Sequence, residues 1–178
     1  MDIIGITNIF ITGKKGIGKS YLLGKVIEAL GIVPSGYRTL PYFHVQERKG
    51  FYMHGLVELD EKENDKIISI QNDAVSCIPV IETFQTLGVK ILKKSMESNN
   101  VILLDELGRL ERNSKEFLNE IQVILDSDRT VIGVLKKEEI AYIEEIIKRD
   151  DTLVFDLDIQ KQDYIYNEIV KELTKMIP

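Results

Sequence analysis

Residues 13–20 read Gly-Lys-Lys-Gly-Ile-Gly-Lys-Ser and satisfy the pattern GxxxxGK[ST] in full. A polyphosphate is wrapped by consecutive backbone N–H groups, so the chain has to curl around it. Glycines permit that curl and keep side chains out of the anion's way. The flanks supply the required context. Ile6 to Thr12 is a β-branched and aromatic run that reads as a buried strand. Leu22, Leu23, Val26, Ile27 and Leu30 recur at helical spacing, and Gly31 follows as a stop. The result is strand, glycine loop and helix, with the positive end of the helix aimed at the phosphates. Gly13, Lys14, Lys15, Gly16, Ile17, Gly18, Lys19, Ser20 and Tyr21 are therefore the candidate nucleotide-binding residues. Lys19 suits the β and γ phosphates, and the Ser20 hydroxyl suits Mg2+. Chance alone would place such an octet in about one comparable chain in a hundred.

The rest of the chain alternates short apolar runs with segments of helical period. Val80, Ile81, Phe84, Leu87, Ile91 and Leu92 line one face of a helix, with Pro79 at its first turn and its end near Asn99–Asn100. Asn113 and Glu116 resemble a capping pair for the helix carrying Phe117, Leu118, Ile121, Ile124 and Leu125. Thr130 to Leu135 and Leu153 to Phe155 read as strands. Two more helices follow from Ile140, Ile143, Ile146 and Ile147, and from Ile165, Ile169, Leu173 and Met176. Strands alternating with helices predict a mostly parallel sheet covered on both faces. Residues 36–71 differ: Tyr37–Phe43, Gly50–Leu59 and Lys66–Ile70 are short strand-like runs between polar turns. They predict an antiparallel β insertion after the first helix, within one 178-residue domain.

A phosphate loop needs a second carboxylate to hold the metal, expected at the end of a buried strand beside the loop strand. Val101-Ile102-Leu103-Leu104 runs into Asp105, which fits that role, and Glu106 follows directly. A glutamate there can orient or deprotonate an attacking water at the γ-phosphate. Asp105 lies 86 residues after Lys19, which leaves room for a strand between the two motif strands. That arrangement points to the division of three-layer α/β phosphate-loop folds that uses a glutamate for hydrolysis.

GKKGIGKS, the GYRT of residues 36–39, the DELGRLE of residues 105–111 and the VIGVLKK of residues 131–137 together resemble the THEP-type nucleoside-triphosphatases. The animal members of that family are called cancer-related nucleoside-triphosphatase. The resemblance implies a RecA-like fold and slow, Mg2+-dependent hydrolysis of nucleoside triphosphates with broad base tolerance. It implies phosphate-loop roles for Gly13, Gly16, Gly18, Lys19 and Ser20, and second-motif roles for Asp105 and Glu106. Gly108, Arg109 and Glu111 complete the signature. Two stretches depart from the family pattern. Leu40-Pro41-Tyr42 stands where acidic residues are usual, and Val134-Leu135-Lys136-Lys137 where many members carry a Thr-His pair.

Lys19, the loop amides, Mg2+ and Glu106 make in-line attack of water on the γ-phosphate the expected chemistry. An arginine finger is worth about 10³–10⁵ in rate, or about 4–7 kcal/mol. Arg109 and Lys136 are candidates for that cation, although for each the reading as an exposed, solvated side chain outweighs it. A slow basal rate is expected unless a protein partner or second protomer donates the charge. A small-molecule kinase is the rival enzyme: it needs an acceptor pocket and usually an arginine-bearing lid, and the segment after Leu110 offers Arg112 but no arginine cluster. A nucleotide-gated switch is the rival non-enzyme, and the lack of an NKxD motif disfavours a guanine-specific one.

Composition trims the other classes. Lys plus Arg is 23 against 29 Asp plus Glu, a net charge of −6, which gives no strong nucleic-acid signal. No apolar run approaches the ~18 residues of a membrane span. Asp2, with no basic segment before the first apolar run, favours a strand over a signal peptide, so the expected location is the cytoplasm. The single cysteine, Cys77, cannot form an internal disulfide and reads as a small buried hydrophobe. His44 and His54 read as solvated strand residues, and Tyr37, Tyr42, Phe43 and Tyr52 as sheet packing or a base-stacking surface.

Overall fold

The computed structural model of the chain describes residues 5–72 and 76–177; Asp2 lies outside them. The strands are β1 (Asn8–Thr12), β2 (Ser35–His44), β3 (Glu47–Gly55), β4 (Lys66–Asn72), β5 (Ser76–Pro79), β6 (Ile102–Leu107), β7 (Val131–Leu135) and β8 (Thr152–Asp156). The helices are α1 (Lys19–Ala29), α2 (Ile81–Thr83), α3 (Val89–Met96), α4 (Lys115–Leu125), α5 (Ala141–Ile147) and α6 (Gln162–Met176), and a wider π-type turn at Phe84–Gly88 joins α2 to α3.

One sheet runs β5-β4-β3-β2-β6-β7-β1-β8. The pairs β2–β6, β6–β7, β7–β1 and β1–β8 are parallel, and β2–β3, β3–β4 and β4–β5 are antiparallel. The expected α/β architecture is thus present, a mostly parallel sheet with helices on both faces. The unbroken apolar runs of the central strands follow from burial on both sides. Phe10, Ile102, Leu104 and Val131 pack under α3, α4 and α5, with Phe117, Ile121 and Ile143. The intervening residues Ile9, Ile11, Leu103, Ile132 and Val134 pack on the other face with Leu22 and Leu23 of α1 and Ile165 and Ile169 of α6.

Several sequence expectations shift. Asp105 does not end a strand beside β1: β7 lies between β1 and β6. An intervening strand was expected, but it comes from downstream of Asp105 rather than from the 86-residue gap. A parallel crossover can return to either side, and sequence order does not choose. Pro79 closes strand β5, opposite Ser69, instead of opening a helix, and β5 itself was missed. Four residues at the sheet's edge carry too little pattern to register. The helix expected to reach Asn99–Asn100 ends at Met96. The residue preceding α4 is Ser114, not Asn113. The antiparallel segment also begins inside the parallel sheet. Ser35–Arg38 of β2 pair with Ile102–Asp105 of β6 before the same strand turns to β3.

Gly36 makes that junction. It has φ 92°, and a Cβ there would lie 2.0 Å from the Leu103 carbonyl oxygen, so only glycine fits. Its N–H donates to Ser95 Oγ of α3 at 2.9 Å, which fixes the strand to the helix layer.

Candidate active site

The C-terminal ends of the parallel strands open into one cleft of about 780 Å³. This is where an open α/β sheet places ligands, because the loops leaving adjacent strands diverge there. The glycine loop leaves β1 with Gly13, Gly16 and Gly18 at φ 143°, 78° and 101°. Gly18 is the N-cap of α1, so the helix's unpaired N–H groups face the cleft. Gly13, Lys14, Lys15, Gly16, Gly18, Lys19, Ser20 and Tyr21 all line it. Ile17 does not, and as a candidate it retains only its backbone.

Ser20 Oγ donates to Asp105 Oδ1 at 2.8 Å. Asp105 is 6% exposed, and Arg38 pairs with it in register on β2. Burial pushes the Asp105 carboxyl up to about 6; the Ser20 hydrogen bond opposes the shift, Glu106 adds to it, and Arg38 and Lys19 oppose it. Two hard oxygen donors at this distance, a hydroxyl and a buried carboxylate, match what Mg2+ takes from a protein. That ion draws its remaining ligands from phosphates and water. Among the described residues no cluster of three or more His, Cys, Asp or Glu offers a complete protein cage.

Lys19 is 8% exposed, and its Nζ donates to the carbonyls of Gly13 at 2.8 Å and Lys14 at 3.0 Å. Burial pulls its pKa below the ordinary lysine value; Glu106 opposes this, Lys136 adds to it, and Asp158 and Asp105 oppose it. Behind the loop, Asp158 Oδ2 accepts the Lys14 N–H at 3.0 Å. Lys137 joins Asp156 and Asp158 at 2.7 and 3.0 Å, tying the ends of β7 and β8 to the loop.

The register between β6 and β7 shifts between Asp105 and Leu107, which leaves Glu106 without a partner on β7. Such irregularities re-aim a side chain. The Glu106 carboxylate lies in the cleft with Lys136 Nζ at 3.3 Å, and the Tyr37 hydroxyl donates to its backbone oxygen at 3.3 Å. Lys136, a candidate finger, thus rests on the candidate base. Arg109 is exposed and lines the cleft.

Glu111 is not in the cleft. It is 3% exposed and accepts hydrogen bonds from the Gly108 N–H and the Tyr142 hydroxyl of α5. The Tyr142 hydroxyl also lies 2.6 Å from the Gly108 carbonyl oxygen. This clamp closes the turn that carries Arg109. Gly108 in turn lies against the Lys136 stem, where a Cβ would come within 2.7 Å of the Lys136 Cδ. Burial pushes the Glu111 carboxyl up to about 7, against the hydrogen bonds from Tyr142 and Gly108.

The sequence missed the far wall. Thr39, Arg48, Phe51, Gln71 and Cys77 of the antiparallel strands line the same cleft. Cys77 is half-buried there rather than fully buried. Tyr37 is core packing, with its ring 5.9 Å from that of Phe117. His54 sits at the surface, 2.6 Å from Asp65. Tyr142 was invisible as a site residue because nothing in its helix distinguishes it from an ordinary half-buried tyrosine.

Comparisons with known proteins bear on the family and the fold. A family model described as NTPase matches residues 8–170. The chain is 29% identical over 171 residues to nucleoside-triphosphatase THEP1 of Thermotoga maritima, covering 93% of this chain and 94% of that protein. The crystal structure of THEP1 from the hyperthermophile Aquifex aeolicus superposes with a TM-score of 0.71 at 24% identity, over 91% of this chain and 96% of that one. The solution structure of a human cancer-related nucleoside triphosphatase gives 0.74 at 22% identity, over 94% and 97%. Both structures share the fold described above.

Proposed function

The chain belongs to the NTPase family matched over residues 8–170, and from that premise we propose that it hydrolyses nucleoside triphosphates to diphosphates and phosphate with Mg2+ held between Ser20 and Asp105. The observation that carries this reading is the 2.8 Å contact between Ser20 and Asp105, with Glu106 following in the same cleft.

Mg2+ would neutralise charge on the β and γ phosphates. The loop amides and the start of α1 bind the phosphate chain. Lys19 exchanges the Gly13 and Lys14 carbonyls for β and γ oxygens. Glu106 orients the attacking water and accepts its proton, and Lys136 holds the Glu106 carboxylate in place. Besides Lys19, Arg109 and Lys136 line the cleft as the candidates for a further cation on the developing charge. Among the described residues the Arg109 side chain makes no hydrogen bond or ion pair and Lys136 Nζ pairs only with Glu106, so basal turnover is slow, and a protein partner or second protomer supplies any further acceleration.

Phosphate release from ATP, GTP, CTP and UTP, with and without Mg2+, tests the reading. Release from all four that requires Mg2+ is expected. No release from any of them, or release indifferent to Mg2+, would overturn it.

A further inference from the structure

Past Glu106 the cleft continues onto the antiparallel strands. Pairing gathers its lining there into one wall: Phe51 stands opposite Ser69 and Gln71 opposite Cys77, while Thr39 is two residues from Tyr37 and so on the same side of β2. Arg48 is the charged group of that wall. Its Nε donates to Gln71 Oε1 at 3.1 Å, and its guanidinium lies 5.2 Å from the centre of the Phe51 ring. Among the described residues its two terminal nitrogens make no hydrogen bond or ion pair. A guanidinium fixed through one nitrogen and stacked on a ring keeps its two-pronged edge for a carboxylate or phosphate.

The direction of the phosphate chain decides what can enter this lobe. The amides at the start of α1 hold its inner phosphates, while Lys19, Asp105 and Glu106 mark its γ end. Strands β2–β5 lie on the side of β6 away from β1. The lobe is therefore beyond the γ-phosphate, opposite the exit of the base. In-line displacement needs its nucleophile on that side.

We propose that this lobe is an acceptor subsite, in which Arg48 holds the anionic group of a small hydroxyl compound and presents its hydroxyl to the γ-phosphate. The acceptor oxygen bonds to the γ-phosphorus, and the bond from that phosphorus to the bridging oxygen breaks. The nucleoside diphosphate leaves with the electron pair, and the hydroxyl proton passes to Glu106. Water in the same place gives hydrolysis. The inference rests on the proposed reading of the phosphate loop and Glu106.

The test uses the full chain with ATP and Mg2+. The probes are D-glycerate, ribose 5-phosphate and 3-phosphoglycerate, which carry a carboxylate, a phosphate or both. Phosphorus NMR reads the products. A new phosphorylated species is expected with at least one probe. Arg48→Ala should raise the KM for that probe about tenfold or more, the worth of a charge-assisted hydrogen bond, with phosphate release from ATP alone changed less than about twofold. Which probe reacts separates carboxylate from phosphate recognition. Orthophosphate as the only product with all three probes overturns the proposal, as does an unchanged KM in Arg48→Ala. No phosphate release from ATP alone would mark failure of the hydrolytic reading instead.

Discussion

The Ser20 hydroxyl and the Asp105 carboxylate, 85 residues apart in sequence, meet at 2.8 Å across the mouth of the sheet. One stands on the first turn of α1 and the other near the end of β6, with β7 filling the space between β6 and β1. The contact pairs the two side chains to which the proposed function gives the divalent cation. Asp105→Asn keeps the volume and can still accept from Ser20, but loses the charge. Its Mg2+-dependent phosphate release should fall by about 10²-fold or more, several kcal/mol of transition-state stabilisation. A Mg2+ titration of turnover checks this, and wild-type rates at saturating Mg2+ would refute the metal assignment.

Glu106→Gln should separate binding from chemistry. Removing a base typically costs 10²–10⁴-fold in rate, while the nucleotide's phosphates are held by other groups. Turnover should drop by about that much, with the nucleotide Kd unchanged within a few-fold by calorimetry. Full activity would show that another group handles the proton.

Lys19→Ala removes the ammonium that Gly13 and Lys14 hold at the loop. Calorimetric titration with Mg2+-ATP should show at least a tenfold loss of affinity, since a charged hydrogen bond contributes about 1.5–3 kcal/mol. Unchanged affinity would contradict the placement of the phosphates.

Glu111 should make stability fall with rising pH. Its carboxyl is raised from the ordinary 4.5 to about 7 in the fold, so the native chain holds this proton longer than the unfolded one. The contribution is complete below about pH 4.5 and is lost as pH rises towards 7, by roughly 3 kcal/mol at most. Glu111→Gln keeps an acceptor for Gly108 and Tyr142 without titrating. The difference in unfolding free energy between the two proteins, followed by urea denaturation from pH 5 to 8, should shift against the wild type. A constant difference would mean that Glu111 titrates normally.

Gly36→Ala should be among the most damaging small substitutions in the chain. The added methyl would meet the Leu103 carbonyl oxygen at 2.0 Å in a backbone conformation with positive φ. A loss of about 3 kcal/mol or more is expected in denaturant unfolding, and a loss under 1 kcal/mol would show that β2 and β6 can part without cost.

The loop motif, Asp105 and Glu106 were legible because each announces itself locally. Glycine spacing specifies an anion cradle, and an apolar run ending in two acids specifies a covered strand that surfaces at a polar site. Strand β5 and the end of α3 were not legible, since short edge segments and helix ends depend on what packs beside them. The far wall of the cleft is of the same kind. Arg48, Phe51, Gln71 and Cys77 are spread over three strands, and no spacing rule links them.

The sequence by itself determined the phosphate-binding chemistry and the alternation of strand and helix, because backbone conformation and burial period are properties of neighbouring residues. Only the tertiary structure decided that β7 stands between β1 and β6, that Glu106 faces Lys136, and that Arg48 shares a cleft with Ser20. Those facts depend on which strand pairs with which, and strand pairing is settled by how whole faces pack together.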